Sequence, residues 1–151
     1  MKPKMIGKII IDIGMTVLLM LLMAFELIGR TAHEWIGVGM FMLFIIHHIL
    51  NRNWSKNLFR GKYPPIRVLQ TILAALVFLT MLGSFISAVL ISRNVFAFLS
   101  LRHGAALGRI MHMLCAYWGF VFLSLHLGLH WSTILGMAGR LMRKPSRTRQ
   151  I

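Results

Sequence analysis

Four long apolar stretches alternate along the chain with short, strongly basic segments. They cover residues 9–28, 32–50, 66–91 and 105–130, and each supplies the roughly 20 apolar residues needed to cross a hydrocarbon core of about 30 Å. Lipid offers the backbone no hydrogen-bond partners, so segments of this kind must be helices. The pattern predicts an all-α membrane protein, with residues 1–151 forming one domain, a four-transmembrane-helix bundle.

The first apolar stretch must be distinguished from a cleaved signal peptide, because basic residues precede it. It is longer than the apolar region of a signal peptide, and no A-x-A cleavage site follows it. We therefore expect it to be a retained membrane helix.

Composition narrows the class of protein further. Of the 151 residues, 58% are hydrophobic and 13% are charged, and the mean hydropathy is +0.75. So few charges could not cover the surface of an ordinary soluble enzyme, and so apolar a chain is not disordered. The net charge of +14 does not indicate nucleic-acid binding, because the basic residues lie between apolar runs. A single cysteine, Cys115, excludes an internal disulfide, a Cys-based zinc site and a CxxCH haem attachment.

The positive residues are unequally divided between the two sides of the predicted bundle. Thirteen of the 17 lie before the first stretch, between the second and third, or after the fourth. The positive-inside rule then places both termini in the cytoplasm, so the second and fourth helices are parallel. The same residues would attract anionic lipid headgroups. The thirteen are Lys2, Lys4, Lys8, Arg52, Lys56, Arg60, Lys62, Arg67, Arg140, Arg143, Lys144, Arg147 and Arg149.

The chemistry is concentrated in seven histidines, none of which lies in the first or third stretch. His33 and His47 are 14 residues apart, and so are His112 and His126. Fourteen residues make nearly four helical turns and rise about 21 Å, so each helix presents two imidazoles on one face. Ionisable groups are costly inside a bilayer, which favours a functional role.

Because the two helices are parallel, their histidines are expected to pair across the bundle. His33 and His112 would lie near the outer side, and His47 and His126 near the inner side. An imidazole pair without cysteine suits axial ligation of haem iron, whereas zinc would need four ligands at each site. We expect a carboxylate only near the outer pair. The pattern predicts two haem b groups with these four histidines as iron ligands.

Neighbouring histidines leave open which two residues form the inner pair. His48 follows His47 and points about 100° away from it, and could replace it. His130 lies one turn beyond His126 and could replace it or contact a haem propionate. The matched spacing favours His47 and His126, and His103 is interpreted as an interfacial residue.

Three further residues could complete a haem site. Gly119, midway between the two histidines of its helix, and Gly37, one turn beyond His33, would give a flat macrocycle room to approach the backbone. Arg109, three residues before His112, could pair with a propionate. The alternatives are ordinary helix-packing glycines and an arginine at the membrane interface.

The three acidic residues each have an ordinary structural interpretation. Thr31 and Glu34 have the spacing of a capping box that starts the second helix. Glu26 could handle protons from a quinol or pair with Arg30 at i,i+4. Asp12 is expected to face lysine at the inner interface.

Short motifs around these histidines resemble a known family. HEWIG at 33–37, His47 followed by LNxxW at 50–54, and LHLGLHW at 125–131 resemble the flavinylation-associated cytochrome family over nearly the whole chain. The two-by-two histidine pattern also resembles the wider class of dihaem b-type cytochromes. The resemblance implies a compact four-helix membrane unit that binds haem between the second and fourth helices.

The resemblance also implies a function, electron transfer across the bacterial cytoplasmic membrane as a component of a membrane oxidoreductase system. The donor would be quinol or a cytoplasmic reductant, and the acceptor an extracytoplasmic protein that carries flavin. One alternative is a self-contained oxidoreductase acting on quinone and a small molecule such as superoxide. Another is a haem-free membrane adaptor or metal-ion transporter, which leaves the paired spacing unexplained.

Overall fold

The computed structural model describes residues 3–58, 60–99, 104–131, 135–136 and 139 of the chain. His103 and the basic residues from Arg140 onward lie outside the described residues. The helices are α1 (Pro3–Met23), α2 (Phe25–Leu50), α3 (Arg52–Lys56), α4 (Pro65–Ile91) and α5 (Ala105–Leu129), with a 3₁₀ turn at Ala97–Leu99.

Helices α1, α2, α4 and α5 are long and apolar enough to cross a membrane. No strand occurs among the residues that the structure describes. These findings confirm the prediction of an all-helical chain with four such helices, and they are compatible with a multi-pass membrane protein. The short helix α3, in the connection between α2 and α4, has no apolar pattern that would have predicted it.

The boundary between α1 and α2 differs from the sequence expectation. Helix α1 ends at Met23 rather than at residue 28, and Phe25 begins α2. Gly29 then interrupts α2 with φ 75° and ψ 169°, so residues 25–28 form a first turn set at an angle to the rest. Glycine alone adopts this backbone region readily. The apolar pattern continues across the bend, so hydropathy could not locate it.

Gly29→Ala is expected to destabilise the protein by about 1–3 kcal/mol, the usual cost of this backbone region for a residue with a Cβ. No atom lies within 4 Å of the position that the added methyl would take, so backbone strain is the only cause. Thermal unfolding of the detergent-purified protein measures the effect.

Gly7→Ala is the matched control, because Gly7 lies inside α1 with equally open space around it. There alanine should be neutral or stabilising by up to about 1 kcal/mol. Equal stability of the two variants would contradict the prediction.

Small residues allow α4 and α5 to pack closely along their lengths. A methyl carbon at Gly83 would lie 2.6 Å from the Cys115 sulfur, and one at Gly108 would lie 2.9 Å from Ile91. Close backbone approach at small residues is the usual basis of helix association in membranes. Helices α1 and α2 form a second hairpin, in which Gly14 faces Leu43.

Aromatic rings join the two hairpins through α2 and α4. The rings of Phe41 and Phe85 stack 3.7 Å apart with 6° between their planes. The rings of Phe44 and Phe78 lie 5.6 Å apart. Phe44 is buried, as is Met40 one turn before it. The middle of the bundle is therefore an apolar, aromatic layer.

Most other large apolar side chains point outward, among them Leu27, which is 88% exposed. On the remaining side of the bundle, α1 and α5 face each other across a groove of about 110 Å³. Around the bundle the order is α1, α2, α4, α5, so α2 and α5 occupy opposite corners.

Arg67 organises the connection between α2 and α4. Its guanidinium donates to the carbonyl oxygens of Asn57, Arg60 and Lys62, each at 2.9 Å, and lies 4.4 Å from the centre of the Tyr63 ring. Lys8 of α1 reaches the same end of the bundle, where it donates to Asn51 Oδ1. We call this end the basic end; it carries Lys8, Arg52, Lys56, Arg60, Lys62 and Arg67.

Candidate functional site: two histidine layers inside the bundle

His33 of α2 and His112 of α5 meet inside the bundle at the end opposite the basic end. Their ring centroids lie 6.0 Å apart, with 75° between the ring planes. The two helices stand at opposite corners, so these side chains span the interior. The Phe25 ring lies 5.1 Å from the His33 ring and covers it from the first turn of α2.

His112 is held by α4. Its Nδ1 lies 3.0 Å from the carbonyl oxygen of Ser84 and 3.2 Å from Ser87 Oγ. Ser87 is fully buried, and its hydroxyl donates to the carbonyl of Gly83 at 2.6 Å. The Ser84 carbonyl can only accept, so the His112 Nδ1 carries the proton and shares it between the two oxygens. The Nε2 lone pair of His112 is then left to face a ligand.

His47 is held by α1, near the basic end. Its Nδ1 lies 2.7 Å from Asp12 Oδ1. A carboxylate accepts, so this contact also assigns the proton to Nδ1. The Asn51 amide nitrogen lies 3.5 Å from His47 Nε2, which accepts a long hydrogen bond from it. His126 of α5 lies near enough to His47 and Asp12 for their charges to act on it. Among the described residues, however, no ring contact joins His47 to His126, whereas the rings of His33 and His112 meet.

The other member of each pair has a buried nitrogen without a hydrogen-bond partner. These atoms are Nδ1 of His33 and Nδ1 of His126. Buried polar atoms are nearly always paired, so such an atom needs an explanation. We call each predicted pair a histidine layer: His33 with His112, and His47 with His126. In each layer, one imidazole is held by a hydrogen bond to a neighbouring helix, and the other has an Nδ1 without a partner.

The structure separates the two adjacent histidines of α2. The His48 ring packs against the rings of Phe44 and Phe78, at 4.3 and 5.2 Å, and its Nδ1 donates to the Phe44 carbonyl. His48 therefore faces α4, while His47 faces Asp12 of α1. This geometry favours His47 over His48 as the member of the layer.

His130 stays beside His126, with 4.9 Å between ring centroids. It lies directly after α5, and its backbone N–H bonds to the carbonyls of His126 and Leu127. His126 and His130 therefore both lie at the basic end.

The predicted glycine and arginine contacts lie elsewhere. A methyl at Gly119 would lie 3.2 Å from Thr80 Oγ1 of α4, and one at Gly37 would lie 3.9 Å from Leu22 of α1. Both glycines therefore face neighbouring helices, and their role beside a macrocycle stays a prediction. Arg109 lines an exposed groove of about 470 Å³ along the outer face of α5. Among the described residues, no hydrogen bond or ion pair joins its guanidinium to a histidine.

Glu34 does not form the expected capping box, because α2 begins at Phe25 rather than at Thr31. Its carboxylate instead accepts from the backbone N–H groups of Arg93, Asn94 and Val95, at 3.0–3.1 Å. The Ser92 hydroxyl and the Asn94 amide also donate to it. Glu34 ties the loop after α4 to α2, beside His33.

The other two acids also differ from expectation. Asp12 faces His47 rather than lysine, since Lys8 donates to Asn51. The expectation of a carboxylate only near the outer pair is therefore wrong. Glu26 and Arg30 are both exposed, and within the described chain they form no ion pair, because Gly29 breaks the helical spacing between them.

The donor set limits what each layer could hold. Among the described residues, no group of three or more His, Cys, Asp or Glu is arranged to hold a metal ion. Haem iron takes its remaining ligands from the macrocycle and needs only axial donors from the protein. Two imidazoles per layer, one fixed through Nδ1 by an acceptor and one with an unexplained buried nitrogen, fit that requirement.

Comparison with known proteins finds no matching family model, no significant match among curated proteins and none among solved structures.

Proposed function

We propose that this chain is a dihaem b-type cytochrome that carries electrons across the bacterial cytoplasmic membrane. The observation that carries the proposal is that one histidine in each layer donates a hydrogen bond through Nδ1, which leaves the lone pair on its other ring nitrogen. Metal-ligating histidines almost always donate their other ring N–H to a carboxylate, a backbone carbonyl or water. His47 does so to Asp12, and His112 does so to Ser84.

The protein's part in this function is to orient the histidine donor atoms. Asp12 fixes the tautomer of His47, while the Ser84 carbonyl and the Ser87 hydroxyl fix that of His112. His33 and His126 supply the opposing imidazoles. Haem, when bound, supplies reversible one-electron chemistry at its iron. The two layers are about 21 Å apart along α2, so they divide the width of the membrane into shorter steps.

The orientation of the bundle in the membrane follows from the positive residues at its basic end. With the basic end in the cytoplasm, the His47–His126 layer is the inner one and both termini are cytoplasmic. The donor is then quinol or a cytoplasmic reductant. The acceptor is an extracytoplasmic protein, and the resemblance to flavinylation-associated cytochromes favours one that bears flavin.

The test is a reduced-minus-oxidised absorption spectrum of detergent-purified protein, with haem counted per chain. Two b-type haems per chain are expected. One haem would mean that one layer is misassigned. A colourless protein after expression with ample haem would reject the proposal and favour the haem-free adaptor or metal-ion transporter.

A further inference from the structure

The two histidine layers differ in the group that holds the anchored imidazole. At the basic end, the acceptor is the carboxylate of Asp12, 2.7 Å from His47 Nδ1. At the opposite end, the acceptors are the neutral carbonyl of Ser84 and the hydroxyl of Ser87. The ring is fixed through Nδ1 in both layers, but only at the basic end is the acceptor itself a carboxylate.

Other charges also lie near the two layers, but none of them is hydrogen-bonded directly to a histidine among the described residues. Lys8 lies one turn before Asp12 on α1, but its ammonium donates to Asn51. In the part of the chain that the structure describes, no lysine or arginine lies within 4 Å of the Asp12 carboxylate, and its side-chain partner is the His47 imidazole. No acid contacts His112 there. The Glu34 carboxylate lies beside His33 and acts on it electrostatically, but it is hydrogen-bonded to the loop at 92–95 rather than to a histidine.

We propose that Asp12 is a positioning residue that sets the two sites apart in reduction potential, with the basic-end site the lower. This inference rests on the proposed function. A carboxylate bonded to a ligating imidazole raises the basicity of that ligand. A stronger donor and a nearby negative charge both stabilise the oxidised iron.

The consequence is a preferred direction for electron transfer. One electron leaves the basic-end site, which is oxidised, and enters the opposite-end site, which is reduced. No bond is made or broken, and no proton moves. The reductant at the basic end and the acceptor at the other end are those of the proposed function.

Asp12→Asn separates charge from shape, because asparagine keeps an oxygen acceptor but carries no charge. In a redox titration of the purified holoprotein, the equilibrium between oxidised and reduced basic-end haem should shift at least tenfold toward reduction. A tenfold shift is about 59 mV for a one-electron couple. The opposite-end haem should shift less than threefold. Asp12→Glu should restore the lower potential.

Ser87→Ala is the matched control at the other layer, since it removes a neutral partner of His112. It should leave the basic-end potential unchanged. An Asp12→Asn protein that retains both haems at unchanged potentials would show that Asp12 merely ties α1 to α2, and this would overturn the proposal.

A second measurement does not depend on the folding of the Asp12 variant. His112→Ala should retain only the basic-end haem, and its potential must match the lower of the two native potentials. A match to the higher one would overturn this proposal and leave the cytochrome function intact. Absence of haem from the unmodified protein would instead reject the proposed function.

Discussion

Replacing His112 by alanine is expected to lower the haem content from two per chain to one. The imidazole is held by Ser84 and Ser87 of α4 and faces His33 across the bundle. Alanine offers no donor atom, and a single remaining imidazole binds haem far more weakly than a pair. Haem per chain, counted from the reduced spectrum of the purified variant, measures the effect.

Because His33 and His112 are proposed to hold the same haem, variants of either residue should have the same effect. His33→Ala should remove the same haem, and the double variant His33→Ala, His112→Ala should be no worse than either single one, because effects within one site are not additive. His47→Ala or His126→Ala should remove the other haem.

His48→Ala is the matched control, since that ring faces Phe44 and Phe78 of the aromatic layer. It should retain both haems. Loss of a haem in His48→Ala but not in His47→Ala would transfer the ligand assignment to His48.

Glu34→Ala is expected to lower the free energy of unfolding by about 3 kcal/mol. Each hydrogen bond to a charged acceptor contributes about 1.5–3 kcal/mol, but exposed amides of the loop can bond to water instead, so the losses do not add in full. Three backbone N–H groups lose their acceptor together. Thermal unfolding in detergent gives the stability, and hydrogen exchange reports on the amides of Arg93, Asn94 and Val95.

Glu26→Ala serves as the control for loss of an acidic side chain in the same helix. Glu26 is exposed and has no hydrogen bond or ion pair among the described residues, so its loss should change stability by less than about 0.5 kcal/mol. Unchanged exchange of the three loop amides in Glu34→Ala would contradict the anchoring role.

The sequence predicted what depends on local pattern. Hydropathy over about 20 residues located four helices, and the parallel orientation of the second and fourth helices, derived from the positive residues, paired His33 with His112, whose rings meet. The first inference needs only the length of a membrane helix, and the second needs only the distribution of positive charge along the chain.

The missed contacts join residues far apart in the chain. Asp12 and His47 are separated by 35 residues, and Glu34 lies 58 to 61 residues from the loop that it holds. These contacts depend on how each helix is rotated about its own axis. In a membrane helix the buried and lipid-facing sides are both apolar, so the pattern does not fix that rotation.

The direction of His48 was undetermined for the same reason. Two adjacent histidines on an apolar helix have the same local signal, and the contacts with Phe44 and Phe78 separate them. The kink at Gly29 was missed because one glycine in an apolar run changes hydropathy very little.

The aromatic layer between the two histidine layers has an energetic consequence. Phe41 and Phe85 stack at mid-bundle beside the buried Met40 and Phe44, with no side chain among these four that could relay a proton. In the proposed function, an electron crosses this layer unaccompanied and moves net charge through the membrane field. Moving one electron across the full membrane changes its energy by about 2.3 kcal/mol for each 100 mV of membrane potential. With the cytoplasm negative, outward export is driven by the membrane voltage and dissipates it, so turnover should be electrogenic.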